Sequence, residues 1–523
     1  LLTWNKTFNK IHRINVLGGF TAERAEYAAS SMTATDFPTD MTGAYDMGAG
    51  LNPKALVSSY GENSLVSFIG RANYTLKDKY IFTATYRKDG SSKFVEDNKF
   101  ADFYSGAVAW RLSEEKFMKS LDWLSNLKLR ASIGETGNQG INSYETFTEM
   151  GVNNYSYGGN GLSSGGAVEG NLTSDDLKWE TTRQYDFGID LGLFDNRVTL
   201  TVDYYNKLTR DLLQTLSVPS STGYTAMLMN SGNVTNQGVE IELGINNIFR
   251  KSKWNWSVSG NIAFNRNVIS GLDSDQFASR LFSGAENVFL QRNGLAIGTL
   301  YGYVEDGFYD NIAEVKADPE YSSLSDTEAL KMVGEIKYLD IDGEPGITSG
   351  DMTTIGDTNA NFTYGLNTSL QYKQFKLGLF FTGSQGNDIF NATLMTQTMS
   401  KSRNITQEAY DTRWTEENAA NAQWPKATNE ATRDMLISDR YVEDGSYFKL
   451  KNVNFEYKFT PKSQKIFTSL TLYANVTNLF TITDYSGYDP EVSSFGTDAS
   501  RKGVDYYAYP SCRTYTVGAK MLF

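Results

Sequence analysis

The chain has 523 residues, rich in aromatic side chains (32 Tyr, 30 Phe, 8 Trp) and glycine (46) and poor in proline (9), a strand-and-turn composition rather than a helical one. Its net charge of −13 argues against a nucleic-acid partner, since a phosphate backbone needs a basic surface. A single cysteine, Cys512, excludes an internal disulfide, and a single histidine, His12, makes a Ser-His-Asp hydrolase or a two-histidine metal site improbable.

No run of about 18 apolar residues occurs, so no transmembrane helix is expected. Alternating stretches recur instead, at residues 14–20, 66–74, 80–86, 103–112, 127–133, 185–193, 197–205, 239–245, 254–264, 362–372, 375–382, 448–457, 470–476 and 513–523. These are about fourteen candidate strands. The clearest puts Tyr185, Phe187, Ile189, Leu191 and Leu193 on one face and Asp186, Gly188, Asp190 and Gly192 on the other. Acids turned toward lipid are costly, so this polar face is expected to line a wet lumen. The last stretch, Arg513 to Phe523, has Tyr515, Val517, Ala519 and Met521 on one side and ends on a phenylalanine, like the closing strand of a membrane barrel.

The connections alternate short and long. Short ones lie at 76–79, 113–126, 194–196, 247–253, 373–374 and 460–469; long ones at 21–65, 87–102, 134–184, 206–238, 265–361, 383–447 and 477–512. Short periplasmic turns and long extracellular loops are the rule for outer-membrane barrels. Aromatics near strand ends, such as Tyr74, Tyr80, Trp254 and Phe375, fit interfacial girdles. The fold expected is therefore all-β, an antiparallel transmembrane β-barrel in a bacterial outer membrane. Within the loops, Ser325-Asp-Thr-Glu328 reads as a capping box opening a short helix through Leu330 and Met332. Ser113 is expected to cap another helix, carrying Phe117, Leu121 and Leu124. Residues 134–170, rich in Gly, Asn and Ser, read as an irregular surface loop.

Several stretches resemble the SusC/RagA family of TonB-dependent outer-membrane transporters. They are Phe68-Ile-Gly-Arg-Ala-Asn-Tyr74 with the run from Tyr80 to Ser92, Trp123-Leu-Ser-Asn-Leu-Lys-Leu-Arg-Ala-Ser-Ile-Gly134 and Leu177-Lys-Trp-Glu-Thr-Thr182. Asp203-Tyr-Tyr-Asn206, the run from Asn230 to Glu240, Thr363-Tyr-Gly365 and Ala474-Asn-Val-Thr-Asn-Leu479 continue it in the family's order. The resemblance implies TonB-energised import of oligosaccharides, or of peptides, beneath a SusD-like lipoprotein lid, in a dimer of transporter–lid pairs. It also implies a barrel of about twenty-two strands around a plug. No plug-like segment is recognisable here, so residues 1–523 are expected to be the C-terminal portion of the barrel. The plug and the N-terminal strands would then lie elsewhere.

Two candidate sites stand out. Asp340, Asp342, Glu344 and Asp351 fall at positions one, three, five and twelve of a calcium-loop pattern. Pro345 stands where that loop needs a glycine, and the alternative is an acidic solvated turn. Tyr301, Tyr303, Tyr309 and Trp414 are the candidate substrate platforms, with packing of the long loops as the alternative role. Trp179 and Asn236-Gln237-Gly238 read as architectural. A passive porin-like barrel is the competing binding class. No spacing singles out a catalytic carboxylate pair, and no enzymatic activity is expected.

Overall fold

The computed structural model describes the chain except residues 42, 55, 149, 157–162, 175, 250–252, 279–280, 283–287, 399–403, 429–435 and 464–465. Fifteen strands follow one another in sequence order in one sheet. They are β1 (Leu2–Phe8), β2 (His12–Ser31), β3 (Val57–Leu76), β4 (Tyr80–Ser91), β5 (Phe100–Arg111), β6 (Leu124–Asn138), β7 (Glu180–Leu193) and β8 (Val198–Arg210). The series continues with β9 (Asn233–Ile245), β10 (Trp254–Ser270), β11 (Phe362–Tyr372), β12 (Phe375–Gln385), β13 (Tyr447–Phe459), β14 (Ser469–Thr483) and β15 (Thr514–Leu522). All fourteen expected stretches are strands, and β1 is an addition. Its lysine, Lys6, sits in register with Leu2, Trp4 and Phe8 and hides the apolar alternation. No helix of the described residues is long and apolar enough to cross a membrane.

Short and long connections alternate along the series except around β5, where residues 92–99 before it form a shorter connection than 112–123 after it. The tightest turns use left-handed backbone, at Asn9 and Lys10 (φ 49 and 58) and at Lys77 and Asp78 (φ 53 and 56). Such a pair of positive φ angles matches the right-handed twist of the two strands it joins.

The chain divides into two compact units. The first comprises Leu1–Arg111, Arg130–Asp186 and Lys207–Asn233. Its dominant feature is the β2–β3 hairpin, paired without a break from His12↔Leu76 to Ser31↔Val57. Twenty residues at roughly 3.3 Å each span about 65 Å, far more than the roughly 10 residues needed to cross a bilayer. The hairpin therefore takes residues 21–31 and 57–65 out of the expected loop at 21–65. Beyond the membrane no apolar face is needed, so the alternation signal fades there. On one face of the unit, Phe20, Phe68 and Phe82 are exposed. On the other, Asn73 donates to Asn15 (3.1 Å) and accepts from Thr83 (2.8 Å), and Arg87 binds Asp89 (2.7 Å) and Ser67 (3.0 Å). A buried cluster of Phe94, Phe103, Ile141, Leu177 and Trp179 packs the loops above. Trp179 donates to the Lys99 carbonyl, which bears out its architectural reading. The stretch 134–170 is less irregular than expected, since Met150–Ser156 pairs with Ser163–Glu169; its tip lies outside the described residues.

The second unit comprises Leu112–Leu129, Phe187–Asn206 and Val234–Phe523. The helix expected after Ser113 does not form. Successive three-residue turns run from Leu112 to Leu124 instead, each N–H bonding the carbonyl three residues back. Such tighter turns suit a short connector. The capping box at Ser325 does open a helix, Asp326–Met332, with reciprocal Ser325–Glu328 bonds. The helix buries Ala329 and leaves Leu330 exposed. The long loops of this unit carry a core of their own, centred on Leu300, Phe390, Met395, Tyr441 and Val504.

Candidate functional site

The acidic turn brings three of its four expected carboxylates together. Oxygens of Asp340, Asp342 and Asp351 lie within 4.8 Å of one another, and Glu344 stands outside the group. The turn organises itself through its own acids. Asp351, fully buried, accepts from Ile341 N (2.8 Å), Asp342 N (3.3 Å) and Thr348 N (2.7 Å). Asp340 accepts from Gly343 N and Asp342 from Glu344 N. Burial disfavours the charge on Asp351, but these N–H groups outweigh it and hold its carboxyl below the usual range. The oxygens are hard donors of the kind calcium takes.

The four aromatic candidates separate into two pairs. Tyr309 and Trp414 lie in one buried cluster with Val315, Ala329 and Val333. The Trp414 indole donates to Asp310 (3.1 Å), and the Tyr309 hydroxyl bonds Asp318. Their rings pack helix Asp326–Met332 and its neighbours and present no face to a ligand in this arrangement. Tyr301 and Tyr303 are half-buried. Tyr301 lies 5.9 Å from the Phe277 ring and under the Arg292 guanidinium, and Tyr303 lies 5.7 Å from Tyr338.

The sequence reading passed over the inner face of β8–β14. Thr201, Asp203, Glu240, Glu242, Ser259, Asn261, Asn367 and the exposed Phe380 surround a cavity of about 430 Å³. Above it a cleft of about 750 Å³ is lined by Asn265, Asn267, Thr354, Asp357, Asn359 and Asn361. Asn267 and Asn359 also hold the loop at Ile297, at 2.7 and 2.6 Å. Further along, Asn452 and Asn475 exchange amide bonds across β13 and β14. Such a wall of amides, hydroxyls and acids beside an aromatic ring is set by every second residue of each strand. The same period-two register that marks the strands could have found it.

The sequence matches the family described as "TonB dependent receptor-like, beta-barrel" over residues 3–379. The chain belongs to that family. Among curated relatives of this receptor barrel, TonB-dependent receptor P3 of Formosa agariphila is 37% identical over 536 residues, covering 100% of the chain and 52% of the relative. TonB-dependent receptor SusC of Bacteroides thetaiotaomicron is 29% identical over 475 residues, covering 88% and 44%. The chain thus spans about half the length of the curated relatives it matches. In fold it is similar to a chain of the RagAB peptide transporter, with a TM-score of 0.80 at 23% identity, over 100% of this chain and 54% of that one. The family sets the receptor barrel in the bacterial outer membrane.

Proposed function

We propose that this receptor barrel is part of an active importer of oligosaccharides, energised by TonB and working beneath a SusD-like lipoprotein lid in a dimer of transporter–lid pairs. The observation that carries the reading is the inner wall. Amides, hydroxyls and carboxylates from Thr201 to Asn367 stand beside the exposed ring of Phe380. Sugars offer hydroxyls to such groups and an apolar ring face to such an aromatic. Tyr301 and Tyr303, half-buried in the loops, are the further platforms in this proposal. Peptide cargo is the second reading, because the chain shares its fold with the RagAB peptide transporter.

The test is uptake of labelled oligosaccharides and oligopeptides by cells carrying the complete transporter, with and without TonB. Accumulation of oligosaccharide that disappears without TonB is the expected result. TonB-independent flux would mark a passive pore, and uptake of peptide alone would transfer the proposal to the second reading. A calcium ion held by Asp340, Asp342 and Asp351 is a separate proposal, supported by the convergence of their oxygens.

A further inference from the structure

In the first unit a cleft of about 500 Å³ opens beside the upper part of β3. It is lined by Arg24, Glu62 and Ser64 of the hairpin, by Ser92 and Lys93, and by Tyr144 and Phe147. Its volume is in the range that holds a small organic ligand.

Two features distinguish it from an ordinary surface crevice. The first is backbone strain. Tyr144 has φ +68, a left-handed conformation that a bulky side chain rarely adopts. Glycine or asparagine would suit this turn with less strain. The turn is nevertheless clamped on both sides. Lys93 Nζ donates to the Ile141 carbonyl (2.6 Å), and Thr146 Oγ1 donates back to the Lys93 carbonyl (2.8 Å). Ile141 and Thr146 are both buried. Tyr144 and Phe147, 41% and 48% exposed as residues, stand beside the cleft on this clamped turn.

The second feature is charge balance. Arg24 is bound by Glu26 (2.9 Å) and Glu62 (2.6 Å), and Glu62 also accepts from Tyr60 (3.2 Å). Lys93 is engaged by main-chain carbonyls. Arg24 is thus paired with two carboxylates, while Lys93 is held by neutral carbonyls and keeps its charge; taken with Glu26 and Glu62, the two cations sum to no net charge. Exposed aromatic residues, serine hydroxyls and the Arg24–Glu62 pair match a neutral, hydroxyl-rich molecule with apolar ring faces.

We infer that this cleft is a carbohydrate-binding subsite on the loops of the receptor, separate from the inner wall, with Tyr144 and Phe147 as its platforms. The class of ligand rests on the oligosaccharide reading above; the location of the site does not.

The experiment uses the purified, complete transporter and needs no TonB. Maltohexaose, cellohexaose, xylohexaose, laminarihexaose and a neutral hexapeptide of alanine, glycine and serine serve as probes. Binding is read by saturation-transfer NMR and titration, for the natural protein, Phe147→Ala and Tyr144→Gly. At least one hexaose should bind, and each substitution should weaken it about tenfold, the loss of one aromatic contact. Tyr144→Gly should do so while the 139–147 turn becomes no easier to nick with protease, because glycine relieves the strained backbone. That separates loss of the ring from loss of the fold. The inference is overturned if no hexaose binds, if binding is unchanged in both variants, or if only the hexapeptide is released by them. Uptake is scored separately, so an importer that proves specific for peptides could still keep this subsite, and the reverse.

Discussion

Asp351 was placed by sequence spacing as a metal ligand, and its surroundings give it a second task. Three main-chain N–H groups converge on its buried carboxylate. Asp351→Ala would strand them at a cost of about 1–3 kcal/mol to the turn, seen as faster protease cleavage within residues 340–352, with or without calcium. The same contacts set a pH response. The carboxyl is depressed in the folded turn relative to an unfolded value near about 3.9. Its contribution is therefore present above that value and lost as pH falls through the lower folded value. Cleavage of the turn should rise only in strong acid, and a turn that loosens between pH 7 and 5 would contradict this. Calcium is a separate question with its own measurement. Titration of the intact protein beside Asp340→Ala should show one fewer bound ion in the variant, and equal stoichiometry would retire the site. The spacing of these acids was legible because a turn is local. The burial of Tyr309 and Trp414 was not, because they meet through contacts between loops about a hundred residues apart.

Strands were more legible than the ends of strands. Apolar alternation persists only where one face meets lipid, so it located the middles and missed the extension of β2 to Ser31. The faces themselves were readable. In β7, Phe187 and Ile189 are exposed, while Asp190 binds Lys128 at 2.6 Å and Asp186 lies 3.8 Å from Arg130. A spin label at Ile189 should be quenched by a lipid-soluble agent, and one at Asp190 by an aqueous agent. The opposite preference would reverse the assignment of lumen and lipid. Close packing between strands was half legible, in the run Asn236-Gln237-Gly238. A methyl group on Gly238 would sit 2.1 Å from the Phe264 carbonyl oxygen and 2.6 Å from the Tyr205 hydroxyl. The Tyr205 hydroxyl donates to Asn265, which in turn donates to Asn236. Gly238→Ala should thus cost about 1–3 kcal/mol through overpacking, measured as a lower midpoint for heat-induced unfolding of the barrel in detergent gels. An unchanged midpoint would show that β9 can shift to accept the methyl.

At the scale of the molecule, strand number and direction decide how the barrel closes. Fifteen strands lie side by side in chain order, with β1 and β15 at the two ends. A meander reverses direction at each step, so after an odd number of strands β1 and β15 point the same way. Closing on fifteen would require one parallel seam, whereas single-chain bacterial outer-membrane barrels have even numbers of antiparallel strands. Leaving both edges open is worse, because each unpaired N–H or C=O in hydrocarbon costs several kcal/mol. We propose that strands outside residues 1–523 pair with both edges, a reading supported by curated relatives about twice as long. The acids of the inner wall, Asp203, Glu240 and Glu242, would then face a lumen wider than fifteen strands enclose. Cysteines at Trp4 and Val517, with Cys512 replaced, test this in the native membrane; Leu2 and Lys6 in place of Trp4 cover the neighbouring registers. All three pairs should stay reduced under mild oxidation. Efficient cross-linking of any pair would show β1 against β15 and a barrel closed on this chain alone.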